Sequence, residues 1–196
     1  MKPVNKSKDL LRGAFILMAA ALITKILSAV YRIPFQNIVG DVGFYIFQQV
    51  YPFYGIAIVL ATTGFPVVIS KLFAEFKERK GLQEARHFMF ITYVYLQLFG
   101  FACFLILYAG AGTIALWMGD TKLAILLKVV SIVYLTFPAV SLLRGYFQGI
   151  GDMVPTAVSQ VAEQVIRVAT ILFLAYLFTS KGYSLYLVGG GPCLVL

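Results

Sequence analysis

The sequence predicts an all-α protein, specifically a polytopic bundle of transmembrane helices. Of its 196 residues, 61% are hydrophobic and only 12% are charged, whereas soluble domains carry about 25% charged residues. The mean hydropathy is +0.90. Apolar stretches also recur along the chain, and several reach the roughly 20 residues that a helix needs to cross about 30 Å of hydrocarbon. These observations predict a membrane protein and argue against a soluble domain.

Five apolar stretches are the predicted spans, and a sixth begins near Tyr183. They cover residues 13–33, 44–70, 87–109, 122–143 and 155–179. The predicted division is therefore a basic tail over residues 1–12, five spans within residues 13–182, and the truncated start of a sixth helix over residues 183–196. The first span follows basic residues as a signal peptide would, but it is too long for one and contains Lys25, so we expect it to be retained.

The distribution of basic residues predicts the orientation of these spans. Residues 1–12 and 71–86 each hold four or five lysines and arginines, whereas residues 34–43 and 110–121 hold none. Basic loops stay in the cytoplasm, so we expect the N-terminus on the cytoplasmic side of a bacterial cell membrane. Residues 71–86 also interleave acidic with basic side chains, which is typical of a solvated surface helix.

The second predicted span contains four residues that weaken or bend helices: Pro52, Gly55, Gly64 and Pro66. A kink is therefore expected. Transporters place such interruptions beside cavities, but prolines also occur in membrane helices that do not move, and the sequence leaves both interpretations open.

Two basic residues fall inside the first predicted span. An ionised side chain at the centre of a membrane helix costs about 2.5 to 3.5 kcal/mol on insertion scales, so it should face the bundle interior or water. Lys25 and Arg32 are seven residues apart, which places them on one helix face, and small residues surround Lys25 on that face. The pattern predicts a cationic stripe. The alternative for Arg32 is that its side chain extends to the lipid headgroups.

The fifth predicted span carries a longer polar face. Steps of four, three, four and three residues connect its polar members, which are Thr156, Gln160, Glu163, Arg167 and Thr170. Glu163 and Arg167 stand at i and i+4, a spacing that favours an ion pair. The face indicates a water-filled cavity lined by Gln160, Glu163 and Arg167, or else an ion pair that clamps two helices together. Lys128, in the fourth span, lies near a helix end and is expected to reach the headgroups.

Several kinds of chemistry have no residues to support them. The chain has one histidine, His87, which we expect in a loop, and two cysteines, Cys103 and Cys193, so no metal cluster or Ser-His-Asp set is predicted. The glycines at 189–191 lack the lysine of a phosphate-binding loop. The formal charge of +8 is spread between apolar spans, which argues against nucleic acid. No enzyme activity, catalytic residue, cofactor or ATP binding is expected.

Two long stretches resemble a known family. ITKILSAVYRIPFQNIVGDVGFYIFQQVYPFY, from Ile23 to Tyr54, is similar to its first two helices, and LRGYFQGIGDMVPTAVSQVAEQVIRV, from Leu143 to Val168, is similar to its fourth and fifth. The family is the polysaccharide-exporter branch of the MOP superfamily, in particular the Firmicute proteins related to stage V sporulation protein B and the MurJ-type lipid II flippases. The resemblance extends from about Lys8 to Tyr186.

The resemblance implies a fold, a cargo and a site. The fold would be the N-terminal lobe of a MATE-like transporter of about fourteen helices, with this chain ending where the family continues. The cargo would be a lipid-linked glycan on undecaprenyl pyrophosphate, flipped outward through a cationic cavity, with a coupling ion or the membrane potential supplying the energy. Lys25 and Arg32 would contact the pyrophosphate, and Glu163 and Arg167 match the family's EQ-x-x-R element. The chain departs from the Gram-negative members, since Ile33 replaces an acid after Arg32.

Two other functions remain open at this stage. A multidrug antiporter of the related MATE branch would need acidic residues in the cavity to bind cations, and the excess of lysine and arginine argues against it. A non-transporting membrane scaffold for wall synthesis would be favoured if the polar faces proved to be packed pairs.

Overall fold

The computed structural model describes residues 6–180, and their side chains from residue 13 onward. Within this range every element is helical. The helices are α1 (Lys6–Val30), α2 (Arg32–Val59), a π-helical turn (Leu60–Gly64), α3 (Phe65–Lys80), α4 (Leu82–Trp117), α5 (Leu123–Ser131), α6 (Val133–Ile150) and α7 (Val154–Ser180). The all-α prediction is confirmed. The predicted sixth span and Cys193 lie outside the described residues.

Four glycines within residues 6–180 have positive φ. Gly40, Gly81, Gly119 and Gly151 have φ of 73°, 89°, 81° and 88°, a region that only glycine occupies without strain. Gly81 separates α3 from α4, Gly119 separates α4 from α5, and Gly151 separates α6 from α7. Gly40 instead lies inside α2, where the helix is interrupted at φ 73° and ψ 176°.

Contacts with α7 show that the chain folds back at Gly40. Gly13 lies beside Met153, Ser28 bonds to Gln164, and the Ile38 carbonyl accepts from Thr179, so the chain up to residue 38 runs parallel to α7. Beyond Gly40 the direction is opposite, because Tyr54 bonds back to Arg167. Residues before and after Gly40 therefore form two antiparallel limbs.

Four helical stretches are long and apolar enough to cross a membrane, by length and composition. They are residues 13–80, 82–117, 123–150 and 154–180. The first is 68 residues long, about three times the length that one crossing needs, and it contains the reversal at Gly40. The division into spans stays a prediction, although the helices extend further than hydropathy indicates.

Two helix boundaries differ from expectation in ways that matter for the site. The fourth predicted span ends at Leu143, whereas α6 continues to Ile150 and ends at the left-handed Gly151. The third predicted span corresponds to α4, which begins at Leu82, so His87 lies inside a helix and not in a loop. Hydropathy locates the apolar middle of a helix, whereas a glycine cap sets its end.

The kink expected in the second span takes the form of a π-helical turn. It covers Leu60–Gly64, between α2, which contains Pro52, and α3, which has Pro66 in its first turn. Single π turns of this kind are often found at functional sites. The turn carries Thr62 and Thr63 into the wall of the cavity described below.

Helices α3 and α6 pack closely together. A Cβ added to Gly145 would lie 2.6 Å from Ile69 Cγ2, and one added to Gly149 would lie 3.0 Å from the Ser70 carbonyl oxygen. The spacing Gly145-x-x-x-Gly149 exposes backbone on one face of α6, as in small-residue contacts between membrane helices. The main apolar core lies alongside, with Phe35, Val50, Leu127 and Ile171 fully buried.

Candidate functional site

A cavity of about 220 Å³ lies between α1, the second limb of α2 and α7. It brings together four of the five predicted site residues, namely Lys25, Gln160, Glu163 and Arg167. Lys25 belongs to α1 and the other three belong to α7, 135 to 142 positions later in the sequence, and the parallel packing of α1 on α7 places them at one level. Hereafter it is called the Lys25 cavity.

Lys25 supplies an unbalanced positive charge to this cavity. No ion pair joins it to another side chain of residues 13–180. Its neighbours in the wall are small or polar, with Ala21, Thr24 and Ser28 from the same helix. Thr24 and Ser28 donate their hydroxyls to the Ala21 and Thr24 carbonyls, which leaves the Lys25 ammonium as the charged donor that residues 13–30 of α1 contribute to the cavity.

Arg167 is held rigidly by two neighbouring side chains. Its Nη1 donates to the Tyr54 hydroxyl at 2.9 Å, its guanidinium carbon lies 5.5 Å from the centre of the Tyr54 ring, and its Nη2 donates to Gln164 Oε1. Gln164 in turn donates to Ser28 Oγ at 2.7 Å. Three chain segments thus fix one arginine, which is the preorganisation that recognition of an anion requires.

Glu163 has a different main partner from the one the sequence predicted. Its Oε2 accepts from Arg144 Nη2 at 2.7 Å, whereas Arg167 Nη2 lies 4.0 Å from Oε1. The i, i+4 neighbour is therefore at the limit of an ion pair, because Tyr54 and Gln164 occupy its guanidinium. Glu163 connects α7 to α6 as much as it lines the cavity.

Arg144 is a charged residue that the sequence reasoning missed. It is 5% exposed, yet the predicted fourth span ends one residue before it, so hydropathy alone leaves it outside the span. Two features that follow Arg144 indicate that its helix continues: the aromatic pair Tyr146-Phe147, and the glycines Gly149 and Gly151, at which a helix can end. With Arg144 included, Lys25, Arg144 and Arg167 oppose the single carboxylate Glu163 in this part of the bundle.

Arg32 is the one predicted site residue that does not line the Lys25 cavity. It is exposed, at the first residue of α2, and its guanidinium carbon lies 6.0 Å from the centre of the Tyr51 ring. Tyr51 itself lines the cavity. Arg32 is therefore one aromatic ring away from the cavity, beyond its wall.

A second cavity, of about 350 Å³, adjoins the first. Ile58, Glu163 and Arg167 line both, so these three side chains form the partition. Arg144 lines only the second of the two. The residues of the polar face predicted for α7 therefore line more than one cavity. Thr170 lines neither cavity and donates its hydroxyl to the Ile166 carbonyl.

The arrangement suits electrostatic binding of an anion. Lysine offers a compact point charge and arginine a planar fork for phosphate or carboxylate, and a low-dielectric surrounding strengthens both interactions. A metal site has no support in the part of the chain that the structure describes, where no group of three histidine, cysteine or acidic side chains comes together.

Comparison with known proteins gives a consistent set of relatives. The family model described as "Polysaccharide biosynthesis protein" matches residues 10–191. The chain is 54% identical over 178 residues to the uncharacterized membrane protein YabM of Bacillus subtilis, covering 91% of this chain and 33% of that protein. It is 35% identical over 180 residues to the lipid II flippase MurJ of the same organism, covering 87% and 33%. Identity to its stage V sporulation protein B is 30% over 174 residues, covering 88% and 33%.

The chain therefore spans about a third of the length of the curated relatives it matches. No solved structure matches it.

Proposed function

Because this chain belongs to the polysaccharide biosynthesis protein family, a family of multi-pass membrane proteins, we propose that it forms part of a transporter that flips a lipid-linked glycan precursor outward across the bacterial cytoplasmic membrane. The relatives named as a lipid II flippase and a sporulation protein support this class of activity. The proposed cargo is a glycan on undecaprenyl pyrophosphate, and no ATP or nucleic acid takes part. The energy would come from a coupling ion or from the membrane potential.

The observation that carries the proposal is the charge balance of the Lys25 cavity. Lys25 has no anionic partner within residues 13–180, and Arg167 is held by neutral groups, Tyr54 and Gln164. Glu163 is occupied mainly by Arg144. Two cations therefore face the cavity without full compensation. Uncompensated positive charge is costly inside a membrane, and it is expected where an anionic cargo binds transiently.

The pyrophosphate would then bind between α1 and α7. Lys25 would act as the point charge and Arg167 as the preorganised fork. Gln160, half-buried in the same wall, would donate to the cargo or its sugar. Arg32, on the far side of Tyr51, would attract the anion at the rim and not hold it at the centre.

Two alternatives make different use of the same residues. A MATE-type antiporter needs free carboxylates for its cations, and the single acid of the Lys25 cavity is paired with Arg144. A non-transporting scaffold of wall synthesis is favoured by that same pair, since Arg144–Glu163 joins α6 to α7 as a clamp. Transport assays separate the scaffold from the flippase. In either case the family relationship fits a protein that is not an enzyme.

The proposal is tested by binding and by complementation. In nanodiscs, the 196-residue chain should retain undecaprenyl pyrophosphate, and should retain undecaprenol much less, when each complex is measured by native mass spectrometry. A chimera in which this chain replaces the matching third of the Bacillus subtilis lipid II flippase MurJ should support growth of a flippase-depleted strain. Equal binding of both lipids, together with a stable chimera that does not support growth, would overturn the proposal.

A further inference from the structure

A third cavity, of about 320 Å³, lies between α6 and α7 on the other side of Glu163 from Lys25. Arg144, Thr156, Ser159 and Glu163 provide its polar wall, and apolar residues of both helices complete it. Glu163 is the only residue that it shares with the Lys25 cavity. It is called the Arg144 cavity below.

The Arg144 cavity is lined by buried polar groups that have no partner. Arg144 is 5% exposed, and its Nε and Nη1 make no hydrogen bond to the described residues. Thr156 is 1% exposed, and its hydroxyl is likewise unpartnered. A buried polar group without a hydrogen-bond partner destabilises the folded state, and more so when the group is charged. Two side chains on facing helices bear that cost at one cavity.

These groups have a common chemical requirement. The guanidinium nitrogens are donors only, and a threonine hydroxyl can donate as well. Ser159 is already engaged, since its hydroxyl donates to the Thr156 carbonyl. What the unpartnered groups lack is therefore an acceptor, and an oxyanion provides several acceptor oxygens at once.

The local charge also favours an anion. Glu163 takes one hydrogen bond from Arg144 and has Arg167 at 4.0 Å, so two guanidinium groups oppose one carboxylate. The net charge of this trio is positive. Thr156 lies in the first turn of α7, a helix of 27 residues, whose positive dipole end adds to the potential. Asp152 reduces that contribution, because its Oδ1 accepts the Val154 N–H.

From these observations we infer that the Arg144 cavity is an anion site, distinct from the Lys25 cavity, that binds a phosphate group through Arg144 and Thr156. The phosphate is either free inorganic phosphate or the headgroup of an anionic phospholipid, since both present the same oxygens. Binding satisfies Arg144 without releasing Glu163 and so strengthens the contact between α6 and α7. This site goes beyond the proposed transport function and does not require it.

The first test measures the thermal stability of the purified chain in detergent at constant ionic strength. Inorganic phosphate should raise the unfolding temperature in a saturable way, and chloride at equal ionic strength should not. In nanodiscs, phosphatidylglycerol should stabilise the chain more than phosphatidylcholine if the source is a lipid headgroup. Phosphate dependence without this lipid dependence assigns free phosphate. The absence of both, as expected for a cavity that holds only water, overturns the inference.

The second test assigns the effect to the cavity with matched variants. Thr156→Val removes the unpartnered hydroxyl at nearly constant volume and should weaken apparent phosphate affinity about fivefold, in keeping with one lost hydrogen bond. Thr170→Val, on the same helix, lines none of the three cavities described and should leave the affinity unchanged.

If Arg144→Gln does not fold, the paired variant Arg144→Gln, Glu163→Gln keeps the cavity neutral and should lose the phosphate effect entirely. Lys25→Gln should retain it, which separates this site from the cargo site. Retention of phosphate stabilisation in the Thr156 and Arg144 variants, or its loss in Lys25→Gln, would contradict the inference.

Discussion

Lys25 and Lys128 are two lysines on apolar helices in different surroundings. Lys128 is exposed and its Nζ lies 5.4 Å from the centre of the Tyr108 ring, the arrangement of an amphipathic side chain whose charge reaches outward. Lys25 lines a cavity, and no ion pair or cation–π contact joins it to another side chain of residues 13–180. The comparison therefore favours a position at the membrane interface for the Lys128 charge and a role in the cavity for the Lys25 charge.

We expect Lys25→Gln, in the chimera with the Bacillus subtilis flippase, to insert and fold normally while losing complementation of the depleted strain. An uncompensated ammonium adds little to stability, so its removal should shift the unfolding temperature only slightly or raise it. Lys128→Gln is the control and should leave growth intact. Normal growth of the Lys25 variant would remove Lys25 from the cargo site.

Glu163 should be coupled more strongly to Arg144 than to Arg167. A double-mutant cycle with Glu163→Gln and Arg144→Gln should give a coupling energy of about 1 to 3 kcal/mol, because either single change leaves an unmatched charge. The cycle with Arg167→Gln should give less than about 1 kcal/mol, since that contact is 4.0 Å long. Thermal unfolding in detergent measures both cycles. Equal coupling energies would mean that the carboxylate exchanges between the two arginines.

Some residues of the candidate site can be predicted from the sequence, and others cannot. Lys25, Glu163 and Arg167 were found because a charge in an apolar run stands out and helical spacing places it on a face. Arg144 was missed because hydropathy ended its helix too early. Gln164 was not singled out because an uncharged residue is conspicuous only through its partners, here Ser28 and Arg167. Packing between helices decides which guanidinium group pairs with the Glu163 carboxylate, and the spacing of residues in the sequence does not reveal this choice.

At the scale of the helices, α3 and α6 meet where the α6 backbone at Gly145 approaches the Ile69 side chain of α3. Ile69 Cβ would lie only 2.7 Å from a Cβ at Gly145, and the Pro66 carbonyl oxygen 3.2 Å from it. These atoms lie on or next to the α3 backbone and cannot rotate away. Close approach of this kind supplies dispersion attraction in a solvent where the hydrophobic effect does not drive helices together.

We expect Gly145→Ala to destabilise the chain by about 1 to 3 kcal/mol, the usual cost of overpacking. The control is Gly112→Ala in α4, where an added Cβ would meet nothing within 4 Å. That change should be neutral or stabilising by up to about 1 kcal/mol, because alanine reduces the entropy of the unfolded chain. The measurement is thermal unfolding in detergent. Changes of the same sign in both variants would indicate that α3 and α6 do not meet at Gly145.

Composition indicates where the chain is helical, whereas irregularities that depend on local backbone geometry are not predicted from it. The apolar runs located the helices, and the prolines and glycines of the second span located an irregularity. The form of that irregularity, a π turn at Leu60–Gly64, was not predicted, nor was the break between α5 and α6 at Ile132. Both depend on how the backbone adjusts to its neighbours, which local propensity does not encode.

At the scale of the whole molecule, the glycine turns and the charge distribution together predict a membrane topology. Residues 34–43, around Gly40, hold no lysine or arginine, and the loop at Gly119 holds one, Lys122, whereas Gly81 follows Lys77, Arg79 and Lys80. Neutral loops cross the membrane more readily than basic ones. Applied to this alternation of turns, the positive-inside rule predicts five passes with the N-terminus in the cytoplasm.

We expect cysteine labelling in intact cells to reproduce this alternation. In a background with Cys103→Ala and Cys193→Ala, a membrane-impermeant maleimide should label Asp41→Cys and Thr121→Cys, which are exposed beside Gly40 and Gly119. It should label Lys80→Cys and Asp152→Cys only after the membrane is permeabilised. Asp41 is decisive, because a single pass through residues 13–80 would bury it in hydrocarbon and leave it unlabelled under both conditions. The reverse labelling of Asp41 and Lys80 would invert the topology and place the cationic tail outside, contrary to the charge rule from which the orientation was inferred.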